Sequence, residues 1–169
     1  MVDRSSLESI LASLKSSAWS GRVFRVMLND YPPDRENTQG ARWNPPDIAA
    51  IYTCLKPAVC IAEVEYGLAR QPRPVKPGLR KTLYQIGVAL SATVDIGPVL
   101  PELEGIGIGG TQLFADDMRV SQEIGRLVTW FGFDGLFVPS ARSSGNNLVI
   151  YPGRANDSYR FEVVDQRVL

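Results

Sequence analysis

Apolar residues recur at helical spacing in three stretches of the chain and alternate or cluster at strand length in six others. Leu7, Ile10, Leu11 and Leu14 fall on one face of a helix over Ser5–Lys15, with Ser5 or Ser6 placed to cap it. Ala58, Ile61, Val64 and Leu68 form the inward stripe of a second helix, opened by Lys56-Pro57 and running to Arg70. Proline suits that first turn because its missing N–H would have no helical partner there. Val120, Ile124, Leu127, Val128 and Phe131 mark a third helix over Arg119–Phe131, with Asp117 as its cap. The strand-like stretches are Arg22–Leu28 (after Gly21 ends the first helical region), Ile48–Thr53, Thr82–Val94, Phe133–Val138, Leu148–Tyr151 and Tyr159–Val164. Thr82–Val94 is the longest, alternating around Leu83, Ile86, Val88 and Leu90. Three connections are long: polar Asn29–Gly40, proline-rich Gln71–Gly78 and the Gly/Pro-rich Pro98–Asp117. Loops of such length are often functional. The order of elements predicts a single α/β (α+β) domain, a mixed sheet with flanking helices.

Composition narrows the class. A chain of 169 residues, 44% apolar and 21% charged, is long enough for one proper core and has the balance of a soluble globular protein. The formal net charge is zero, so no whole-molecule field draws it to nucleic acid or to an anionic membrane. No apolar run is long enough to span a bilayer, and Met1-Val-Asp-Arg-Ser-Ser lacks the layout of a signal peptide. Cys54 and Cys60 sit across a strand-to-helix boundary with no bridging pattern, which predicts two small buried hydrophobes in a reducing cytoplasm. Histidine is absent, which excludes Ser-His-Asp and Cys-His nucleophile systems and most zinc sites, and no metal is expected. Gly105–Gly110 fits G-x-G-x-x-G letter for letter, but no strand precedes it and no helix pattern starts from it, so a dinucleotide fingerprint is not inferred.

What remains for chemistry is a set of arginines, tyrosines, hydroxyls and carboxylates. Arg42, Tyr52 and Glu63 follow one another at intervals of ten and eleven residues on a turn, a strand and a helix. Glu63 stands among Ile61, Ala62 and Val64, where a helix ordinarily carries apolar residues, and buried carboxylates need partners. Two readings stay open for it: a half-exposed salt bridge at the helix edge, with Arg42 the nearest partner in sequence, or a functional acid. Arg25 interrupts an apolar strand, either at a solvent-facing position or as a cation pointing into a cleft. Tyr52 reads as a core aromatic with its hydroxyl at the surface, or as a ligand contact, and Trp43 as a packing residue. Ser140 and Arg142 lie in a strand-end turn over Pro139–Asn147, where binding groups concentrate. Without a histidine, Ser140 is a hydrogen-bond donor rather than a nucleophile.

Four ordered motifs carry a resemblance. Gly40-Ala-Arg-Trp-Asn-Pro-Pro, Ile51-Tyr52, Ala62-Glu63-Val64, and Phe133-Asp-Gly-Leu-Phe-Val-Pro-Ser-Ala-Arg142 followed by Gly145-Asn-Asn-Leu-Val-Ile-Tyr-Pro152 resemble the RES domain, over about Arg22 to Pro152. The resemblance implies an ADP-ribosyltransferase-like fold and a bacterial toxin of a toxin–antitoxin pair. It implies NAD⁺ as substrate, degraded at the nicotinamide–ribose bond by a glycohydrolase or phosphorylase. The alternatives it leaves are mono-ADP-ribosylation of a specific protein and a catalytically inactive module that binds a nucleotide or partner. It assigns Arg42, Tyr52 and Glu63 to catalysis, and Arg25, Arg42, Tyr52 and Ser140 to binding of the dinucleotide. The implied partner is an Xre-like helix-turn-helix antitoxin. Direct nucleic-acid binding and a membrane are not expected, and homo-oligomerisation stays open.

Overall fold

A computed structural model describes residues 2–169. The elements are α1 (Arg4–Ala12), β1 (Ser17–Leu28), β2 (Ile51–Cys54), α2 (Pro57–Ala69), β3 (Lys81–Asp95), α3 (Leu100–Gly105), α4 (Gly110–Leu113), α5 (Arg119–Trp130), β4 (Gly135–Pro139), β5 (Asn146–Ile150) and β6 (Arg160–Val168). Short 3-10 turns at Gly97–Val99 and Pro152–Arg154 complete the list. The sheet runs β1-β2-β5-β4-β3-β6, and β1 also pairs with β3. Five strands therefore close on themselves, and β6 hangs on the outside of β3. The pairings are antiparallel except β3 with β4. This is the expected mixed α/β domain with flanking helices.

Closure depends on the length of β3. Its first nine residues ladder with β1 on one side and β6 on the other. Its last three, Thr93–Asp95, pair with Gly135–Phe137 of β4. Buried Asp134 fixes that junction: its carboxylate accepts from Ser91 N, Ser91 Oγ and Ala92 N at 2.9–3.0 Å.

Three apolar clusters fill the layers. Val23, Ile86, Val88, Leu90, Leu148 and Ile150 pack within the closed sheet. A larger cluster joins the sheet to α1, α3, α4 and α5 through Leu11, Leu103, Leu113, Ile124 and Val128. On the other side α2 covers Val26, Cys54 and Leu83 with Val59 and Cys60. Leu83 thus serves a different core from Ile86, Val88 and Leu90, because the three-residue step from 83 to 86 puts it on the opposite face of the strand.

Several sequence expectations need correction. Asp3, not Ser5 or Ser6, caps α1, accepting from Ser5 N and Ser6 N. Gly21 does not end a region but lies inside β1, which starts at Ser17 because β3 supplies a pairing partner there. The inward side of α2 is Val59 and Cys60 with Ile61 and Val64, whereas Ala58 is exposed. Pro98–Asp117 is not an open loop. It folds into a 3-10 turn and two short helices, held by fully buried Leu103, Ile108 and Leu113. Asp117 accepts from Arg119 N but stands one residue before the cap position, Met118. β6 runs on to Val168, beyond the expected end at Val164.

Candidate active site

Three local structures converge on one cleft. The first is the turn carrying Arg42. Ala41 and Asn44 exchange backbone hydrogen bonds of 2.9 and 3.3 Å, which folds the chain back at Arg42-Trp43. Asn44 is wholly buried and ties the turn down, donating to Ile48 O at 2.7 Å and accepting from the Tyr52 hydroxyl at 2.6 Å. That hydroxyl in turn accepts from Trp43 N at 2.9 Å. The turn also leans on α5, where Gly125 is required: a Cβ there would lie 1.9 Å from Trp43 O. Trp43 itself is core, as expected for a packing residue.

Tyr52 therefore differs from the expected aromatic with a surface hydroxyl. Its phenol is engaged on both sides within the protein, and burial pushes its pKa well above the ordinary value. The group does not trade protons near neutrality. What it offers the cleft is its ring.

Arg42 and Arg25 are used in parallel fashion. Arg42 Nη1 donates to Leu113 O and Ala115 O, both at 2.8 Å, which holds the α4–α5 connection over the turn. Arg25 Nη1 donates to Pro33 O and Arg35 O at 2.5 and 2.8 Å, which shapes the Asn29–Gly40 loop. Among the described residues the Nη2 and Nε groups of both arginines have no protein acceptor, so each rigid fork keeps three N–H groups for a ligand. Burial pulls the Arg25 pKa down to about 10 and that of Arg42 below its usual value. At about 10, Arg25 still carries its charge at neutral pH.

Glu63 is half-buried on α2, and its partners are not cations. Ser140 Oγ donates to Glu63 Oε1 at 2.6 Å and Asn147 Nδ2 donates to the same oxygen at 2.7 Å. Arg42 makes no salt bridge with it; the two line the same compartment instead. The donors come from the β4–β5 hairpin, closed by Ser140 N to Gly145 O at 2.9 Å. Gly145, at φ +151°, lets the hairpin sit against α2: a Cβ there would lie 2.9 Å from Val59 Cγ2.

The cleft has two compartments that share Tyr52, Glu63 and Asn147. One of ≈ 180 Å³ is bounded by Arg42, Phe114 and Arg142. The other, of ≈ 390 Å³, is bounded by Arg25, Tyr31, Arg35 and Asn37. Depressions of ≈ 430 Å³ beside Trp130 and ≈ 480 Å³ between α1 and α5 are larger. Volume alone would choose those. Convergence of a carboxylate, two half-used guanidiniums and an aromatic ring chooses the cleft. Arg25, Arg42, Tyr52 and Glu63 all line it, and Ser140 reaches it through Glu63. Sequence reasoning missed Asn44, Phe114 and Asn147, and singled out Arg142 without a role. Arg142 stacks on Tyr66, its guanidinium carbon 3.6 Å from the ring centroid.

The sequence matches the RES domain over residues 22–168. The chain belongs to the RES domain family. Its fold is that of the MbcT toxin in the crystal structure of the M. tuberculosis MbcT–MbcA toxin–antitoxin complex. The TM-score is 0.78 at 22% identity, covering 100% of this chain and 94% of the other. No curated protein is matched by the sequence. Within this RES domain the cysteines are free and buried, with the neighbouring Cys60 thiol and burial pushing Cys54 far up. They act as packing residues. No helix among the described residues is long and apolar enough to cross a membrane.

Proposed function

We propose that this RES domain cleaves the nicotinamide–ribose bond of NAD⁺, as a glycohydrolase or phosphorylase, and is the toxin of a toxin–antitoxin pair. The observation that carries the reading is Glu63, a half-buried carboxylate held by two neutral donors and by no cation, at the junction of two ligand-sized compartments. With no cation among its described partners, this carboxylate is open to a cationic group that arrives in the cleft. Bond breaking at an N-glycoside builds positive charge on the ribose, and a fixed carboxylate beside it favours that state over the ground state. At about 4 Å and an effective dielectric near 20, one charge on another is worth about 4 kcal/mol, or roughly three decades in rate.

The other residues divide the dinucleotide between them. The free N–H groups of Arg42 and Arg25 suit pyrophosphate or ribose oxygens. The Tyr52 ring supplies a face for nicotinamide, with its hydroxyl turned away to hold the Arg42 turn. Ser140 contributes by holding Glu63, through its 2.6 Å hydrogen bond to Oε1. An antitoxin, of the Xre-like helix-turn-helix kind, would silence the domain by covering the cleft. Both would meet in the cytoplasm, where NAD⁺ is abundant.

The test is NAD⁺ concentration over time with purified protein, with and without phosphate, beside Glu63→Gln. Consumption by wild type, reduced about 10²–10³-fold in Glu63→Gln, is expected from the charge estimate. Phosphate dependence names the acceptor. Equal consumption by both proteins, or none by wild type, rejects the reading.

A further inference from the structure

Glu63 receives both of its donors on one oxygen. Ser140 Oγ and Asn147 Nδ2 reach Oε1 at 2.6 and 2.7 Å, while Oε2 has no protein donor among the described residues. The last torsion of a glutamate is intrinsically broad, so an unrestrained carboxylate would exchange its two oxygens freely. Two short bonds to a single oxygen remove that freedom. They also leave the second oxygen with all its lone pairs.

The donors themselves are hard to move. Asn147 lies in β5 with a strand on each side, opposite Cys54 of β2 and Val138 of β4. Ser140 follows β4 directly, and its oxygen also accepts from Arg142 N at 3.2 Å, which fixes the hydroxyl. The hairpin bearing both is seated on α2, the helix of Glu63, by the close approach at Gly145.

Asn147 carries a second mark. Its Oδ1 is buried and has no protein hydrogen-bond partner among the described residues. Turning the amide over would not relieve this, because it would set Oδ1 against the Glu63 oxygen, acceptor against acceptor. The fold thus tolerates a stranded carbonyl to keep the N–H₂ aimed at Glu63. Buried unsatisfied groups of this kind concentrate at functional sites.

We infer that Asn147 is a positioning residue, paired with Ser140, that loads Glu63 Oε1 and thereby presents Oε2 alone to the ligand. The inference rests on the reading of Glu63 as the residue that faces the developing charge. Asparagine meets the need where aspartate does not, since a second carboxylate 2.7 Å away would repel the first. Ser140 takes the matching role on the other side.

The experiment compares Asn147→Ala, Ser140→Ala and Ser140→Thr, each in the wild-type and Glu63→Gln backgrounds. The readouts are NAD⁺ turnover, NAD⁺ affinity by calorimetry, and the crystal structure of Asn147→Ala. Loss of one donor should lower kcat about 10–100-fold, the scale of a misplaced catalytic group, with affinity changed less than about threefold. Ser140→Thr keeps the hydroxyl and should restore most of the rate. In the Glu63→Gln background, Asn147→Ala should change the residual rate less than about twofold, because its effect passes through Glu63. An Asn147→Ala that weakens affinity at unchanged kcat, or costs the same in both backgrounds, overturns the inference: Asn147 would then touch the ligand itself. If wild type consumes no NAD⁺, the reaction assignment fails and the crystal structure decides the positioning role. A carboxylate turned or split between rotamers upholds it, and one unmoved with Oε1 in place rejects it. Ser140→Ala takes the place of Asn147→Ala should the latter not fold.

Discussion

Replacing Tyr52 by phenylalanine removes one oxygen from the cleft and tests whether that oxygen holds structure or does chemistry. The hydroxyl donates to Asn44 Oδ1 at 2.6 Å and accepts from Trp43 N at 2.9 Å. Asn44 is 0% exposed and Trp43 4%, so neither partner recovers a water when the hydroxyl goes. Two hydrogen bonds at about 1 kcal/mol net, plus the desolvation of two stranded groups, give a loss of about 2–4 kcal/mol. For a domain of this size that lowers Tm by roughly 5–15 °C. Urea unfolding should show a lower midpoint at unchanged slope. Asn44→Ala should cost as much or more, because its amide also donates to Ile48 O at 2.7 Å. The double variant should fall short of the sum by about 1 kcal/mol, the shared bond counted once. At a temperature where Tyr52→Phe is folded, NAD⁺ turnover should stay within about tenfold of wild type, far above Glu63→Gln. A variant as stable as wild type yet as inactive as Glu63→Gln would refute the argument and make the phenol a reacting group.

Gly125→Ala should be among the most damaging small changes in the chain, since its methyl would lie 1.9 Å from Trp43 O. A cost of about 3 kcal/mol or more is expected, seen as a lower urea midpoint; a neutral result would mean that the Arg42 turn is free to move away from α5. Arg42→Ala removes the donor to Leu113 O and Ala115 O, so amide exchange across residues 110–117 should quicken while the β1–β3 ladder keeps its protection. Alkaline conditions should destabilise the fold. Burial raises the phenols of Tyr52 and Tyr151 above the unfolded value of 10.0, and that of Tyr159 to about 12, so above pH 10 the folded state holds more protons and stability falls. Arg25, pulled down from 12.5 to about 10, acts in the opposite sense over the same window. Three raised phenols against one guanidinium leave about two net protons, or up to roughly 2.7 kcal/mol per pH unit, half-buried Tyr159 counting least because solvent screens it. Urea midpoints that stay flat or rise between pH 10 and 11.5 would contradict this.

The elements with a clear period over several residues, such as Ile86, Val88 and Leu90 of β3, were legible in the sequence. β3 and α5 follow from alternation and from the inward face Ile124, Leu127 and Val128, because those patterns are local and each element is long enough to display them. The four RES-like motifs were legible too, and with them the cleft-lining Arg42, Tyr52 and Glu63, while Arg25 stood out as a cation within an apolar strand. Residues 98–117 were not. Their buried Leu103, Ile108 and Leu113 stand five apart, which matches no single helix or strand, and each turns inward only because a core is there to receive it. The first residues of β1 were hidden for a related reason: a polar start becomes strand when Ala89 and Leu90 stand opposite Ser20 and Trp19.

The same division runs through the site. The sequence by itself showed a carboxylate in an apolar helix that needed a partner, and its nearest cation was Arg42. Only the tertiary structure decided that the partners are Ser140 and Asn147, 77 and 84 residues further on, and that Arg42 binds Leu113 and Ala115 instead. Local spacing fixes which face of an element a residue occupies. Which distant group meets it there depends on the register of β5 between β2 and β4 and on how closely the hairpin can approach α2.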